Sequence, residues 1–432
     1  MFSKRIFFLA FAVFLLCSAW PVSAFAKPFS VFMEEAVTGH DLVLAAQARR
    51  DAARAGVARA RGEWMPHLDA AVNVGPEYVD PPGDRDSTTK TRDYQRVTAK
   101  QLLYDFGRSG AGIGRAQAAV ERAEAEVVAA RQEVMLQGIA AYLDVVRHKE
   151  RLRLALESEQ RIMDLTGIEE TLVTRGAGLA SDVLQAKSQL AGAKALRVRV
   201  EGQLALARNR FLTVFEVAPT DELLQSLGPP MIPFERVPAG LEEASAAAAD
   251  SSVELLMARH NVDMARQDLA GSEADLFPRL HLVGEAKRKH NDQGVDGARN
   301  EALGMVELTW AVFSGGKERA AIREARSNLT DQERRVKELQ DRVEERVAAA
   351  WQNLITTREN ARLLHDQAEI LEEFLDLAKH ERLLGTRSLL DVLNGEVGHL
   401  NALSNAVSAE TDRAVALYQL FFAMGRLDLD LF

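Results

Sequence analysis

Apolar residues recur every seven positions through two long stretches of this chain, and the stretches are copies of one another. Val120, Val127, Val134 and Ala141 are answered 209 residues later by Leu329, Val336, Val343 and Ala350. The same offset carries Tyr142 to Trp351, Gly176 to Gly385, Asp182 to Asp391 and Leu184 to Leu393. A register kept without gaps over such a span marks one structural unit present twice. The seven-residue period is that of a coiled-coil seam. Gly114 to about Thr166 and Lys317 to about Leu384 each run for more than 50 residues without proline. Each therefore predicts a helix spanning ~80–100 Å. Many seam positions are alanine (Ala116, Ala119, Ala123, Ala130), which lets neighbouring helices approach closely. Gly176-Ala177-Gly178 and Gly385 break the two helices. Helix resumes near Ser181 and Ser388 and runs to about Phe215 and Met424.

The pattern ahead of each long helix is different. An Ala- and Arg-rich helix over about Glu34–Arg61 ends before Pro66, and its counterpart over about Leu241–Asp275 ends before Pro278. Trp64-Met65-Pro66-His67-Leu68 matches Leu276-Phe277-Pro278-Arg279-Leu280 at an offset of 212. Beyond each proline the period becomes two: Leu68, Ala70, Val72 and Val74 face one way, and His67, Asp69, Ala71 and Asn73 the other. That alternation predicts a half-buried strand. Strands are expected near 67–75, 94–104, 280–287 and 302–313, joined by the polar loops Asp80–Asp84 and Lys289–Glu301. The glycines within Gly107–Gly112 and Ser314-Gly315-Gly316 mark the return to helix. The two units cover about 34–217 and 241–427 of a single domain, 27–432. Four strands cannot close a membrane barrel, which needs about eight, and lipid does not tolerate open strand edges. If these strands face lipid, two chains would supply eight and three would supply twelve; the pattern leaves both open.

Composition adds an address and removes several function classes. Lys4 and Arg5, the apolar run Ile6–Leu16 and the small-residue site Ala24-Phe25-Ala26 form a secretory signal over residues 1–26. The run is too short to be a membrane anchor. Cys17 is the only cysteine, so the mature chain has neither disulfide nor thiol chemistry, and Leu15-Leu16 before it does not make a lipoprotein signal. The net charge of −10 becomes −12 without Lys4 and Arg5, and the acidic balance leaves no nucleic-acid footprint. Catalytic and cofactor motifs fail. Gly110-Ala111-Gly112-Ile113-Gly114-Arg115 has Arg where a dinucleotide fingerprint needs its third glycine, and Gly315-Gly316-Lys317-Glu318 lacks the hydroxyl residue of a phosphate-binding loop. The histidines show no His-Glu-x-x-His spacing, and Asp292 and Asp296 are too sparse for a calcium loop. No enzymatic activity, cofactor or metal is expected. Aromatic residues cluster near the strands (Trp64, Tyr78, Tyr94, Tyr104, Phe106, Phe277, Trp310, Phe313), either as interfacial girdles or as ordinary packing.

The order of elements, duplicated behind a signal peptide, resembles the TolC-like outer-membrane efflux protein family over about Glu34–Leu427. The most specific stretch is Gly385-Thr386-Arg387-Ser388-Leu389-Leu390-Asp391-Val392-Leu393, close to the family's helix-tip motif; Gly176 through Ser181-Asp182-Val183-Leu184 is its counterpart. The resemblance implies a mainly α fold with a small β part: a long coiled-coil-like helical barrel, plus four strands per chain contributing to a trimeric twelve-stranded transmembrane β-barrel. It implies a homotrimer in outer-membrane lipid with a long periplasmic portion, completed by a periplasmic adaptor and an inner-membrane ABC or proton-driven transporter. It further implies a constricted entrance lined by Asp391, with Asn394 where the family usually carries a second aspartate. Arg387 matches an arginine that holds the entrance shut, with Ser181 and Asp182 as its partner region, and the tyrosine expected five residues earlier is Arg382 here. Gly176, Gly178, Leu179, Gly385 and Thr386 would form tips on which the adaptor docks.

Each of these residues also has a plainer reading. Ser388 and Asp391 are spaced as a helix cap and its partner, Asp182 complements a helix dipole, and the glycines stop helices. The function expected is an exit duct for type I protein secretion, with multidrug or small-molecule efflux as the alternative. The missing lipoprotein signal and the tip motif lean toward the former. A periplasmic coiled-coil adaptor is the rival of a different class, but it would need one helical hairpin where this chain has two.

Overall fold

A computed structural model describes residues 29–80, 82–83, 86–177, 179–228 and 232–432. The signal over residues 1–26, with Cys17, and the tip residue Gly178 lie outside the described residues. The elements follow in the order α1 (Phe29–Gly39), α2 (Asp41–Gly62), β1 (His67–Val79), β2 (Thr88–Tyr104), α3 (Arg108–Thr174), α4 (Ala180–Phe215), α5 (Asp221–Ser226), α6 (Leu241–Ser251), α7 (Val253–Ala274), β3 (Arg279–His290), β4 (Ala298–Thr309), α8 (Lys317–Leu383) and α9 (Leu389–Ala423). Helices α3 and α8 are each 67 residues long, about 100 Å at the α-helical rise.

Several boundaries differ from the periodicity. The helices expected to be continuous over Glu34–Arg61 and Leu241–Asp275 both break, at His40 and Ser252, which are themselves 212 residues apart. At each break the side chain caps the helix that follows: His40 Nδ1 accepts from Leu42 N at 3.1 Å, and Ser252 Oγ from Leu255 N at 3.4 Å. The first long helix begins at Arg108 rather than Gly114, because the Asp105 carboxylate accepts from the N–H groups of Gly107 (3.2 Å) and Ser109 (2.7 Å) and so caps it early. It ends at Thr174, not near Thr166. β1 and β2 continue beyond the predicted 75 and 94 into a long hairpin, Val79 pairing with Thr88. β4 starts at Ala298 and stops at Thr309, so Trp310–Phe313 lie outside the sheet.

The sheet is antiparallel in the order β1-β2-β3-β4, and among the described residues both outer edges are unpaired. Its two faces differ in kind. One carries rows such as Ala70–Val97–Ala286–Ala302 and Leu68–Ala99–Gly284–Gly304, with Leu280, Leu282, Val306 and Leu308 alongside. Leu68, Val72, Val97, Leu282, Val306 and Leu308 are all exposed. The opposite face carries charge: Lys287 pairs with Glu285 (2.7 Å), Lys289 with Glu301 (3.1 Å), Lys100 with Glu307 (3.4 Å) and Arg92 with Asp292 (2.6 Å). An apolar face of this extent left in contact with solvent by a single chain needs a non-aqueous neighbour.

Aromatic residues gather where strands meet helices. The Phe106 ring lies 4.8 Å from Tyr104 and stacks on Phe277 at 5.0 Å, while Trp310 Nε1 donates to Leu276 O at 3.0 Å. Phe106 (φ 57°) and Gly107 (φ 95°) turn the chain into α3; their equivalents before α8 are Gly315 (φ 68°) and Gly316 (φ 85°). Phe106 thus holds a left-handed conformation that the second copy leaves to glycine, and its ring contacts on Tyr104 and Phe277 anchor it there.

The helices form one layer in the same order as the strands. On the sheet side the sequence of neighbours is α2, α3, α7, α8; beyond mid-length α4 takes the place of α2 against α3, and α9 lies between α3 and α8. The main core sits at mid-length, where Met33, Ile139, Phe211, Leu417, Tyr418 and Leu420 are nearly inaccessible and α5 and the C-terminal residues close over them. Gly138 leaves room there: a Cβ would lie 2.9 Å from Met33 Cε.

Candidate functional site

The ends of the two helical hairpins lie far from the sheet and are built by the same hydrogen bonds twice. At the first, Gly176 N donates to Val173 O (3.0 Å) and Ala177 N to Leu172 O (2.9 Å); at the second, Gly385 N donates to Arg382 O (2.9 Å) and Thr386 N to Glu381 O (3.0 Å). Every partner is shifted by 209. Gly176 (φ 76°) and Gly385 (φ 75°) occupy the left-handed position that ends the helix. The helices restart differently. Ser388 Oγ accepts from Asp391 N at 3.2 Å and caps α9, whereas Leu179 before α4 has no side-chain cap. Ser181 Oγ lies 3.2 Å from Asp182 Oδ1, in the first turn of α4.

The predicted site residues separate into two groups. Asp391 and Asn394 are exposed on one face of α9, and Asn394 Oδ1 accepts weakly from Gln189 of α4 at 3.5 Å. Leu389 and Leu393 point the other way, into a small cluster with Ile162, Ala186 and Ala193. Arg387 does not share the Asp391 face, because it precedes the cap and is not part of α9. Its guanidinium folds back onto α8 instead: Nε is 3.2 Å from Glu381 Oε2, and the charge lies over the Phe374 ring, 5.1 Å from its centroid. Within one chain its ion-pair partner is Glu381, where Ser181 and Asp182 were expected.

Two buried carboxylates that the sequence reading did not single out tie the hairpins together. Glu169, near the end of α3, is buried and receives Arg382 of α8, which also donates to Arg387 O at 3.3 Å. Glu396 of α9 is fully buried between Arg161 of α3 and Lys379 of α8, whose Nζ lies 3.6 Å from Oε2. A carboxylate without solvent is tolerable only when paired, so each of these charges holds a helix of one repeat against a helix of the other. Arg382 was noticed as a departure from the family pattern; its neighbour in space is 213 residues away, and no local spacing could have revealed it.

The profile of a family described as "Outer membrane efflux protein" matches residues 33–214 and 245–426. The outer membrane efflux protein BepC of Brucella suis is 24% identical over 375 residues, spanning 87% of this chain and 80% of BepC. The alkaline protease secretion protein AprF of Pseudomonas aeruginosa is 25% identical over 307 residues, spanning 68% of this chain and 62% of AprF. The solved outer-membrane channel OprN shares the fold, with a TM-score of 0.79 at 22% identity, covering 92% of this chain and 89% of OprN.

Proposed function

The chain belongs to the outer membrane efflux protein family, and from that premise we propose that three copies form the exit duct of a tripartite export system serving type I protein secretion. It is a channel of the outer membrane with a periplasmic helical portion, and it is not an enzyme. One observation supports the barrel above others: a four-stranded sheet with one apolar and one charged face and two unpaired edges, continuous with two long helical hairpins. Three such sheets close a twelve-stranded barrel, with the apolar face toward lipid and the charged face lining water.

The periplasmic entrance in this reading is the second tip. Asp391 and Asn394, exposed on α9, line it, one ring of carboxylates and one of amides. Arg387 and Arg382 hold α8 in the closed position, and Ser181 and Asp182 take up Arg387 across the boundary between copies. Gly176, Leu179, Gly385 and Thr386 present the surface for a periplasmic adaptor, which links the duct to an inner-membrane ABC transporter. AprF, by its name a protease secretion protein, favours protein export; BepC, by its name an efflux protein, keeps small-molecule efflux as the second reading.

Disruption of the gene separates the two. Loss of a large protein from the culture medium, with unchanged sensitivity to detergents and dyes, supports secretion. Heightened sensitivity with an unchanged set of secreted proteins transfers the duct to efflux. Failure of the purified protein to conduct ions in a planar bilayer would overturn the channel reading itself.

A further inference from the structure

Helix α8 opens with three arginines on one face. Arg319, Arg323 and Arg326 stand at i, i+4 and i+7, and all three are exposed. The positions three and four residues to either side of each hold no acid. The nearest acids along the helix, Glu318 and Glu324, sit one residue off this face, and Glu318 is held by Ser314. No ion pair among the described residues involves Arg319 or Arg323, and Arg326 reaches the exposed Glu273 of α7 only at 3.5 Å. Elsewhere on α8, Arg335, Arg342 and Arg362 each have an acid four residues away: Asp331, Glu338 and Asp366. Arg319 and Arg323 instead repel one another, a local reversal of sign in a chain of net charge −10.

The wall does not need these cations. At the offset of 209 their counterparts at the start of α3 are Gly110, Gly114 and Gln117, and α3 reaches the same 67-residue length without them. A neighbouring copy supplies little counter-charge either. Helices α2 and α8 stand at the two ends of the sheet-side row, and the last two turns of α2 hold Arg59 and Arg61 with no acid; Glu63 follows alone.

We propose that Arg319, Arg323 and Arg326 bind the phosphate of an anionic phospholipid in the periplasmic leaflet of the outer membrane. The inference rests on the duct reading above, which sets lipid against the apolar face of the sheet. Two placements carry it. The first is the side of the wall. Gly110, Gln117, Glu124, Arg131 and Gly138 form one heptad row of α3, and its last member abuts Met33 of α1. Arg319 and Arg326 begin the matching row of α8, so they lie on the side of the helix layer that carries α1. That side is the outside of a duct, because covering elements on the inside would fill the passage. The second is depth. Arg319 and Arg323 fall within ~9 Å of the start of α8. Just ahead of them Trp310, Val312 and Phe313 are exposed, Phe313 at 89%, where the sheet ends. A headgroup layer extends roughly 5–8 Å beyond the hydrocarbon, so the guanidiniums meet headgroups while Val312 and Phe313 meet acyl chains.

Charge complementarity fixes the class of lipid. Guanidinium forks donate paired N–H groups to phosphate oxygens, and clustered arginines beside a membrane favour lipids with net negative charge. Phosphatidylethanolamine cancels its own phosphate with an ammonium and leaves the arginines unbalanced. Phosphorylated lipid of the opposite leaflet lies at the far, hairpin end of the sheet.

Native mass spectrometry of the purified full-length protein tests the site, after incubation in detergent with phosphatidylglycerol or, separately, phosphatidylethanolamine of the same acyl chains. The parent is expected to retain phosphatidylglycerol in preference. Arg319→Gln with Arg323→Gln is expected to lower that retention about fivefold, as the loss of two cations from a lipid contact requires. Arg319→Lys with Arg323→Lys is expected to keep most of it. Lys337→Gln, ~21 Å farther along α8 and flanked at i−4 and i+4 by Glu333 and Asp341, is expected to leave it unchanged. Equal retention by the parent and the glutamine pair overturns the site, and so does equal retention of the two lipids. Complete displacement of phosphatidylglycerol by inorganic phosphate overturns lipid as the ligand. The same spectra give the oligomeric mass, and a planar bilayer gives conductance. A conducting trimer without arginine-dependent lipid overturns this site and leaves the duct standing. A monomer overturns the duct and, with it, the outward placement of the arginines.

Discussion

Arg161 of α3 donates through Nε to Glu396 of α9, and Glu396 has no exposure to solvent. The two residues belong to different repeats, 235 positions apart. Removing the arginine leaves a buried carboxylate with only Lys379, 3.6 Å away, to balance it. Arg161 itself is partly exposed, so Arg161→Ala is expected to cost about 2–3 kcal/mol, at or below the low end for broken buried pairs. Arg161→Leu combined with Glu396→Leu is expected to regain most of that. Denaturant midpoints followed by helical circular dichroism measure both.

Arg382 and Arg387 make different predictions for opening. Arg387 is bound to Glu381 and Phe374 of α8, the helix just before it, while Arg382 crosses to Glu169 of α3. If the tip opens by parting the hairpins, Arg382→Ala raises single-channel conductance in a planar bilayer more than Arg387→Ala does. Equal conductance of both variants and the parent removes these arginines from the gate.

The two faces of β2 respond differently to charge. Val97 sits in an all-apolar row between Ala70 and Ala286, and Arg96 projects from the other face beside Lys287. Val97→Arg is expected to cost about 2–4 kcal/mol if the row lies at mid-membrane and to deplete the protein from outer membranes on fractionation. Arg96→Leu is expected to leave insertion intact and shift anion-to-cation selectivity, read as the reversal potential in a salt gradient.

Mild acid is expected to loosen the mid-length core through His148. Burial first, and the neighbouring Arg151 second, hold its pKa below the ordinary 6.5, and its Nδ1 is buried without a hydrogen-bond partner. The folded chain therefore keeps this imidazole neutral where the unfolded chain protonates it. The associated stability is complete above about pH 6.5 and is lost as pH falls through the depressed value. His148→Gln is expected to flatten that part of the thermal-midpoint profile between pH 7 and pH 5, a range set by the shifted His pKa.

Much of the architecture was legible because it is periodic. The heptads of α3 and α8, the alternation of β1 and the glycines at 176 and 385 report local geometry, and local geometry repeats when sequence repeats. Asp105 explains why one boundary was missed: a carboxylate ahead of Gly107 captures the first free N–H groups, so Gly110 and Gly112, which read as a break, are drawn into the helix. The kinks at His40 and Ser252 escaped for a related reason, since a single side-chain cap interrupts a helix without changing the composition around it. Arg387 lies at the tip but off the face of Asp391, because the Ser388 cap leaves it outside the helix.

By itself the sequence determined the duplication, the type of each element and which positions are apolar, since those properties follow from spacing along the chain. Only the tertiary structure decided that β2 pairs with β3 and so joins the repeats, and that Glu169 and Glu396 are buried against arginines of another helix. Those facts depend on which segments distant in the sequence meet in space. Burial is a property of the neighbours a residue acquires in folding, and no period in the sequence records it.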